Sequence, residues 1–262
     1  MTRVNKIKGV QAVDRALAIL ETLAREGSPM MLSAISSELG LNISTVHRLL
    51  NALAAHGLVE QELYQGRYRL GIKAFEIGNR ALYSLDIRAI ARPALQQLVA
   101  DFNETANLAI LDKYEVVYID QVESGNIIKM LVQPGTRAPA YCTGTGKVLL
   151  AYLSEDQLYK FFQEVALLPY TPITITDPLR LREELQKIRS QGFALDNGER
   201  EEGVRCVAAP VFNHDNKVTA AVSVAGPAQR MPPKLMSGKL ATAVIQVALQ
   251  ISRSLGYKLY QS

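Results

Sequence analysis

Seven polar side chains near the start of this 262-residue chain have the types and spacing of a nucleic-acid reader. Ser44, Thr45, His47, Arg48 and Asn51 fall on about two turns of a predicted helix over 43–56. Val46, Leu49, Leu50 and Leu53 recur at i, i+3, i+4 and i+7 and define the opposite, apolar face. Hydroxyls and leading N–H groups at a helix N-terminus suit phosphate oxygens, and the Arg48 guanidinium matches the two acceptors of guanine in a major groove. Arg67 and Arg69 add a second group. At period two on a predicted hairpin they share one face, while Tyr68 and Leu70 turn the other way. Two outward arginines on a wing fit a phosphate strand or the edge of a minor groove. The same outer face is also what a helical interaction module shows to solvent, so spacing leaves both readings open. His47 by itself reads as a surface residue.

The elements that would position these groups follow from the pattern. Val13, Ala16, Leu17, Leu20, Leu23 and Ala24 predict a helix over 13–25, stopped at Gly27-Ser28-Pro29. A second helix over 33–39 has Ser33 as N-cap and Gly40 as its stop. After the third helix, strands over 58–62 and 67–70 flank a turn at Tyr64-Gln65-Gly66. Two helices joined by a short turn and followed by a hairpin make a winged helix-turn-helix. A helix over 72–83, carrying Phe75, Ile77 and Leu82, leads to a boundary near Ser84–Asp86. The expected domains are a reader over 1–71, a linker helix over 72–84 and a second domain over 85–262.

The second domain alternates predicted helices (90–102, 144–152, 154–162, 179–191, 235–255) with predicted strands (106–112, 115–122, 127–132, 204–212, 218–224). Short turns between strand pairs point to an antiparallel sheet with helices, an α+β fold.

Charge supports the division. Residues 1–84 carry ten Lys/Arg against seven Asp/Glu, and the rest nineteen against eighteen, so most of the net +4 sits in the first part. Cys142 and Cys206 make neither a disulfide framework nor a zinc pattern, which fits a reducing cytoplasm. The polar start excludes a signal peptide, and no apolar run approaches the ~18 residues of a membrane span. The run from Gly144 to Lys147 fails as a P-loop, because Tyr141 and Val148 stand where Gly and Ser/Thr are needed. It fails as a dinucleotide fingerprint because Leu149 replaces the last glycine. Neither cysteine has a histidine at a telling position, since His47 and His56 lie in the reader and His214 in a turn. Glu199, Glu201 and Glu202 beside Arg200 read as a solvated loop rather than a metal site. No catalytic set, metal or cofactor is expected.

The runs VDRALAILETLAREG, LSAISSELGLNISTVHRLLNALAAHGLVEQ and GRYRLGIKAFEIG, followed by PAYCTGTGKVLLAYLS, GFALDNGEREEGVRCVAAPVF and VSVAGPAQR, resemble IclR-type bacterial regulators in order and spacing over about residues 10–258. The resemblance implies a winged helix, a linker helix used in dimerisation, and a C-terminal effector-binding domain with a GAF-like antiparallel sheet. It implies a homodimer or homotetramer on a double-stranded DNA operator. It also places an effector pocket at Gly144, Thr145, Asp196, Cys206 and Ser223, with apolar walls from Ile127, Met130 and Val204. The residues agree in part. Gly144-Thr145-Gly146 before an apolar helix would leave N–H groups free for a carboxylate, Asp196 could accept from a ligand hydroxyl, and Cys206 and Ser223 could donate from strands. Each also has a plain reading, as turn glycines, a turn aspartate, an inert buried thiol and a backbone-bonded serine.

The expected protein is therefore a ligand-responsive transcription regulator, a repressor of a catabolic operon that senses a small organic acid. The alternative is an enzyme acting on a small carboxylic acid with a helical accessory domain. That reading needs a set of paired titratable groups in the second domain, and none is spaced convincingly.

Overall fold

A computed structural model describes residues 10–62, 66–83 and 87–257. The expected turn residues Tyr64 and Gln65, and the expected boundary at Ser84–Asp86, lie outside the described residues. Contacts divide the chain into two units, 1–84 and 85–262.

The first unit holds α1 (Gln11–Glu26), β1 (Met30–Met31), α2 (Leu32–Leu39), α3 (Ile43–Ala55), β2 (Val59–Gln61), β3 (Arg67–Leu70) and α4 (Ile72–Tyr83). The strands form an antiparallel sheet in the order β1-β3-β2. Ile19, Leu23, Ile35, Val46, Leu50, Leu53, Val59 and Tyr68 make one buried cluster, so the apolar stripe of α3 faces α1 and α2. A helical stripe wider than its neighbours can cover leaves a remainder. Val13 and Leu17, expected inward, are about half exposed, and Ala24 is exposed. Ser33 is not the cap of α2: that helix starts at Leu32, and Met31 precedes it without a side-chain cap. Met30 and Met31 are drawn into the sheet by pairing with Tyr68 and Arg67, a long-range contact that local pattern does not reveal.

The second unit is an all-antiparallel six-stranded sheet covered on both faces. Its chain order is α5 (Ile87–Phe102), β4 (Thr105–Asp112), β5 (Glu115–Val122), β6 (Arg137–Pro139), α6 (Gly144–Ala151), α7 (Glu155–Glu164), α8 (Pro178–Gln191), β7 (Ala194–Asp196), β8 (Val204–Phe212), β9 (Val218–Pro227), α9 (Pro233–Leu235) and α10 (Ala241–Ser254). The sheet order is β6-β5-β4-β9-β8-β7. Period-two alternation sends Val207, Ala209, Val211, Ala220, Val222 and Val224 to the face packed on α5 and α10. Cys206, Ala208, Ala221 and Ala225 face α6 and its neighbours.

Three expectations need correction, and two strands were not foreseen. Residues 127–132 form no strand but an irregular segment, held by Asn126 donating to the Asn103 carbonyl (2.7 Å) and Arg230 donating to the Ile128 carbonyl (2.8 Å). The edge strands β6 and β7, each three residues long, were too short to show periodicity. The last helix is interrupted at Gly238 (φ −109°, ψ −108°). The Pro233–Ser254 stretch does have the length and composition of a span, but Met236, Leu240, Val244, Ala248 and Ile251 are buried in the core against the sheet.

α6 is buried on every side, which requires small residues at its start. A Cβ on Gly146 would overlap the Ala140 carbonyl. Gly146→Ala should therefore lower the unfolding free energy by at least about 1–3 kcal/mol, the usual cost of overpacking. A urea titration with an unchanged midpoint would show that α6 can shift without cost.

Candidate functional site

Two sets of polar groups stand out, one in each unit. In the first, Ser44, His47, Arg48 and Asn51 are exposed on the outer face of α3, and Thr45 is half-buried at its edge. Among the described residues no side chain caps α3; the Thr45 N–H donates to the Asn42 carbonyl (2.9 Å), which leaves the N–H groups of Ile43 and Ser44 available to an anion. Arg67 and Arg69 are both exposed, as period two requires, with Tyr68 buried between them. They are not equivalent. Arg69 is the cross-strand partner of Glu60 and donates to its carboxylate through Nη2 (3.1 Å) and Nε (3.3 Å). Opposite charges directly across an antiparallel pair find each other. Arg48 and Arg67 make no ion pair among the described residues.

In the second unit a cavity of about 470 Å³ opens on the α6 side of the sheet. Six of the eight residues expected at an effector site line it: Met130, Gly144, Asp196, Val204, Cys206 and Ser223. Ile127 does not. It is fully exposed, because the segment that carries it is irregular rather than a strand. Thr145 is buried in the first turn of α6, with its hydroxyl towards the Tyr118 phenol and outside the lining.

The glycine run differs from expectation in detail. Thr143 caps α6 and accepts from the Gly146 N–H (3.2 Å), so part of the expected anion cradle is already used. Gly144 instead allows close packing, since a Cβ there would lie 2.9 Å from Cys206 Sγ. Asp196 takes the turn role: its Oδ1 accepts from the N–H groups of Gly198 (3.0 Å) and Glu199 (2.8 Å). Burial nevertheless holds its pKa above the ordinary value. Burial also pushes the Cys142 and Cys206 thiols up to about 12, so neither is a thiolate nucleophile at neutral pH.

Several lining residues escaped the sequence. Asn107 on β4 lies opposite Ser223 on β9 and Gln121 on β5. Gln121 donates to Asn107 Oδ1 (2.8 Å), and Asn107 Nδ2 reaches Ser223 Oγ at 3.5 Å. A polar ladder thus crosses three strands. The available signal was an asparagine in the otherwise apolar run Ala106–Leu111. Tyr118, Thr143, Arg137 and Arg200 also line the cavity.

Glu199 requires the largest revision. It is not part of a solvated loop but is buried against Lys147, whose ammonium also donates to the Leu195 carbonyl (2.8 Å). Glu201 and Glu202 are exposed. Among the described residues no cluster of three His, Cys, Asp or Glu is placed to hold a metal ion.

Residues 12–63 match the IclR helix-turn-helix domain, and residues 79–253 match the bacterial transcriptional regulator IclR C-terminal domain. The chain belongs to the IclR family. The regulator BhcR of Paracoccus denitrificans (strain Pd 1222) is 38% identical over 93% of this chain and 87% of its own length. The transcriptional repressor IclR of Escherichia coli (strain K12) is 33% identical over 94% of this chain and 90% of its own. Among solved structures, the IclR of Thermotoga maritima superposes with a TM-score of 0.78 at 33% identity, covering 95% of this chain and 100% of that one. An IclR-family regulator of Alicyclobacillus acidocaldarius gives 0.83 at 30% identity, with the same coverages. The protein is thus a DNA-binding transcription regulator with a ligand-binding C-terminal domain, and not an enzyme. Its fold is the α+β arrangement of the family, with an N-terminal helix-turn-helix and an antiparallel C-terminal sheet.

Burial raises Glu199 to about 7, outweighing the attraction of Lys147. The native state then holds this proton more tightly than the unfolded chain. Its contribution to stability is fully present below about pH 4.5 and is lost as pH rises through about 7. Wild type should therefore lose stability relative to Glu199→Gln across that window in urea titrations. A pH-independent difference would refute the assignment.

Proposed function

We propose that this protein is a repressor of a catabolic operon that releases or reshapes its grip on a palindromic operator when a small organic acid fills the cavity of the second unit. The observation that carries this reading is the cavity itself. It combines apolar walls from Met130, Leu131 and Val204 with convergent polar groups on Asn107, Asp196 and Ser223, the usual make-up of a small-molecule site. The repressor sense is supported by relatives named as repressors, including the acetate operon repressor of Salmonella typhimurium, 33% identical over 94% of this chain.

The division of labour in this reading is a reader over 1–71, a linker helix over 72–84 and an effector domain over 85–262, acting in the cytoplasm. Ser44, Thr45, His47, Arg48 and Asn51 meet the major groove, and Arg67 meets a backbone phosphate beside it. Arg69 contributes less, since Glu60 already neutralises it. A homodimer or homotetramer is favoured by apolar side chains that this chain leaves uncovered: Val13 and Leu17 on α1, and Ile72 and Phe75 on α4, are each more than half exposed. Effector control is linkage: an acid that binds one assembly geometry better shifts the operator-competent population by its differential affinity and no more.

Gel-shift titrations over salt on the DNA upstream of the adjacent operon test the reader. Arg48→Ala should cost about 1–3 kcal/mol of operator affinity. Arg67→Ala should weaken binding to all sequences and lower the salt slope by about one, with a smaller loss for Arg69→Ala. Wild-type affinity in both Arg48→Ala and Arg67→Ala would remove this surface from the interface. For the cavity, Ser223→Ala should blunt the effect of an activating acid on operator affinity while leaving effector-free binding near wild type. An unchanged effector response would take Ser223 out of the site.

A further inference from the structure

We propose that Arg200 is the anion anchor of this cavity, and that the effector is a hydroxylated carboxylic acid of more than three carbons. Its carboxylate lies on Arg200, and its hydroxyls lie towards Asp196, Ser223 and Asn107. The proposal rests on the reading of the cavity as the effector site.

An acid entering this cavity meets the carboxylate of Asp196, so it needs a cation that is not already neutralised. Two guanidinium groups line the space. Arg137 is committed to two carboxylates, Asp112 and Glu115 (3.0 Å to the latter). Arg200 has no carboxylate partner among the described residues. Even Glu201, its neighbour in sequence and also in the lining, makes no ion pair with it. The Arg200 guanidinium lies 4.0 Å from the centre of the Tyr170 ring. Packing against an aromatic ring leaves N–H donors free to grip a carboxylate with two parallel hydrogen bonds.

The platform beneath Arg200 is itself held. The Tyr141 hydroxyl donates to the Leu168 carbonyl and accepts from the Leu168 N–H, both at 2.8 Å. Two residues on, Tyr170 packs beside the Tyr141 ring. The Thr171 hydroxyl donates to the Gly198 carbonyl (2.8 Å), and the Thr174 hydroxyl donates to the Glu199 carbonyl (2.6 Å). The segment that carries Tyr170 and the turn that carries Arg200 are therefore tied together before any ligand arrives. A charged group positioned in advance loses little freedom on binding, which is what an anchor requires.

Size and polarity set the rest of the ligand. About 470 Å³ is room for roughly fifteen waters at ~30 Å³ each. A two- or three-carbon acid leaves most of it unfilled. The rest of the lining offers an acceptor on Asp196 and mixed donors and acceptors on Ser223, Asn107 and Tyr118, which suit hydroxyl groups.

The test uses the full-length protein in thermal-shift and calorimetric titrations. The probes are lactate, malate and gluconate, the neutral amide of each, and glyoxylate as a short acid. Malate or gluconate should stabilise wild type and its amide should not. Arg200→Gln should bind that acid roughly ten- to a hundredfold more weakly, the range for one charge-assisted contact. Arg200→Lys should fall between, because it keeps the charge without the planar fork, and Tyr170→Ala should lose part of the affinity. A ligand-free melting temperature for Arg200→Gln equal to wild type separates lost binding from lost fold. Equal binding by wild type and Arg200→Gln, equal binding of acid and amide, or binding of glyoxylate alone overturns the anchor and leaves the effector cavity standing. If no acid binds wild type or alters operator affinity, the organic-acid reading falls, and the anchor falls with it.

Discussion

A lysine buried to 1% exposure organises the second unit. An ammonium taken out of water must be neutralised and fully hydrogen-bonded, or its burial costs several kcal/mol. Lys147 meets that demand from three directions: Glu184 on α8 at 3.5 Å, the Leu195 carbonyl on β7, and Glu199 in the turn after β7, whose carboxyl is charged above about pH 7 and hydrogen-bonded to the ammonium. The same three contacts hold α6, α8 and the 196–200 turn in one arrangement. That turn carries Asp196 and Arg200, and α6 begins at Gly144, so one wall of the cavity inherits its geometry from the buried charge. Where such a pair exists, removing one partner is far worse than never having had either.

The other wall follows from the pleat. Every second residue of β4, β8 and β9 faces α6, and most of these are small: Ala109, Ala208, Ala221 and Ala225. Small residues let α6 approach the sheet closely. On the same face Asn107, Cys206, Ser223 and Ala225 line the cavity beside Gly144, the first residue of α6. The cavity thus opens beside the N-terminus of α6, and its polar floor is satisfied internally by the Gln121–Asn107–Ser223 ladder. A ligand that enters must offer at least as good a set of hydrogen bonds, which is how such a floor becomes selective. In the first unit the asymmetry between Arg67 and Arg69 has the same origin: register, not residue type, decided which arginine would find a carboxylate opposite it.

Much of this was legible in the sequence, for reasons that differ by element. The three helices of the reader carry strong 3.6-residue periodicity and end at glycines that adopt positive φ, Gly27 (66°) and Gly40 (59°) among them. Local pattern is enough for such elements. The long strands β8 and β9 are apolar runs flanking an Asn-containing turn at Asn216 (φ 58°), equally local in origin. Short edge strands carry no period, so β1, β6 and β7 were invisible. Residues 127–132 misled because an apolar run looks like a strand wherever its backbone partners lie, and here the partners are the Arg230 side chain and the Asn103–Asn126 contact.

The sequence by itself determined the long helices and strands in their order, the helix-turn-helix with its outward polar face, and the family motifs that bring Gly144, Asp196, Cys206 and Ser223 to one cavity. These depend on periodicity, turn residues and motif order, which are written along the chain. Only the tertiary structure decided that Glu199 is a buried partner of Lys147, that Arg69 is already neutralised by Glu60, that Ile127 faces solvent, and that Arg200 stands on Tyr170 without a carboxylate partner among the described residues. Charge state and availability depend on what lies across the fold. Residues about 30 to 50 positions apart in sequence, such as Tyr170 and Arg200 or Lys147 and Glu199, meet only once the sheet and its helices have closed around them.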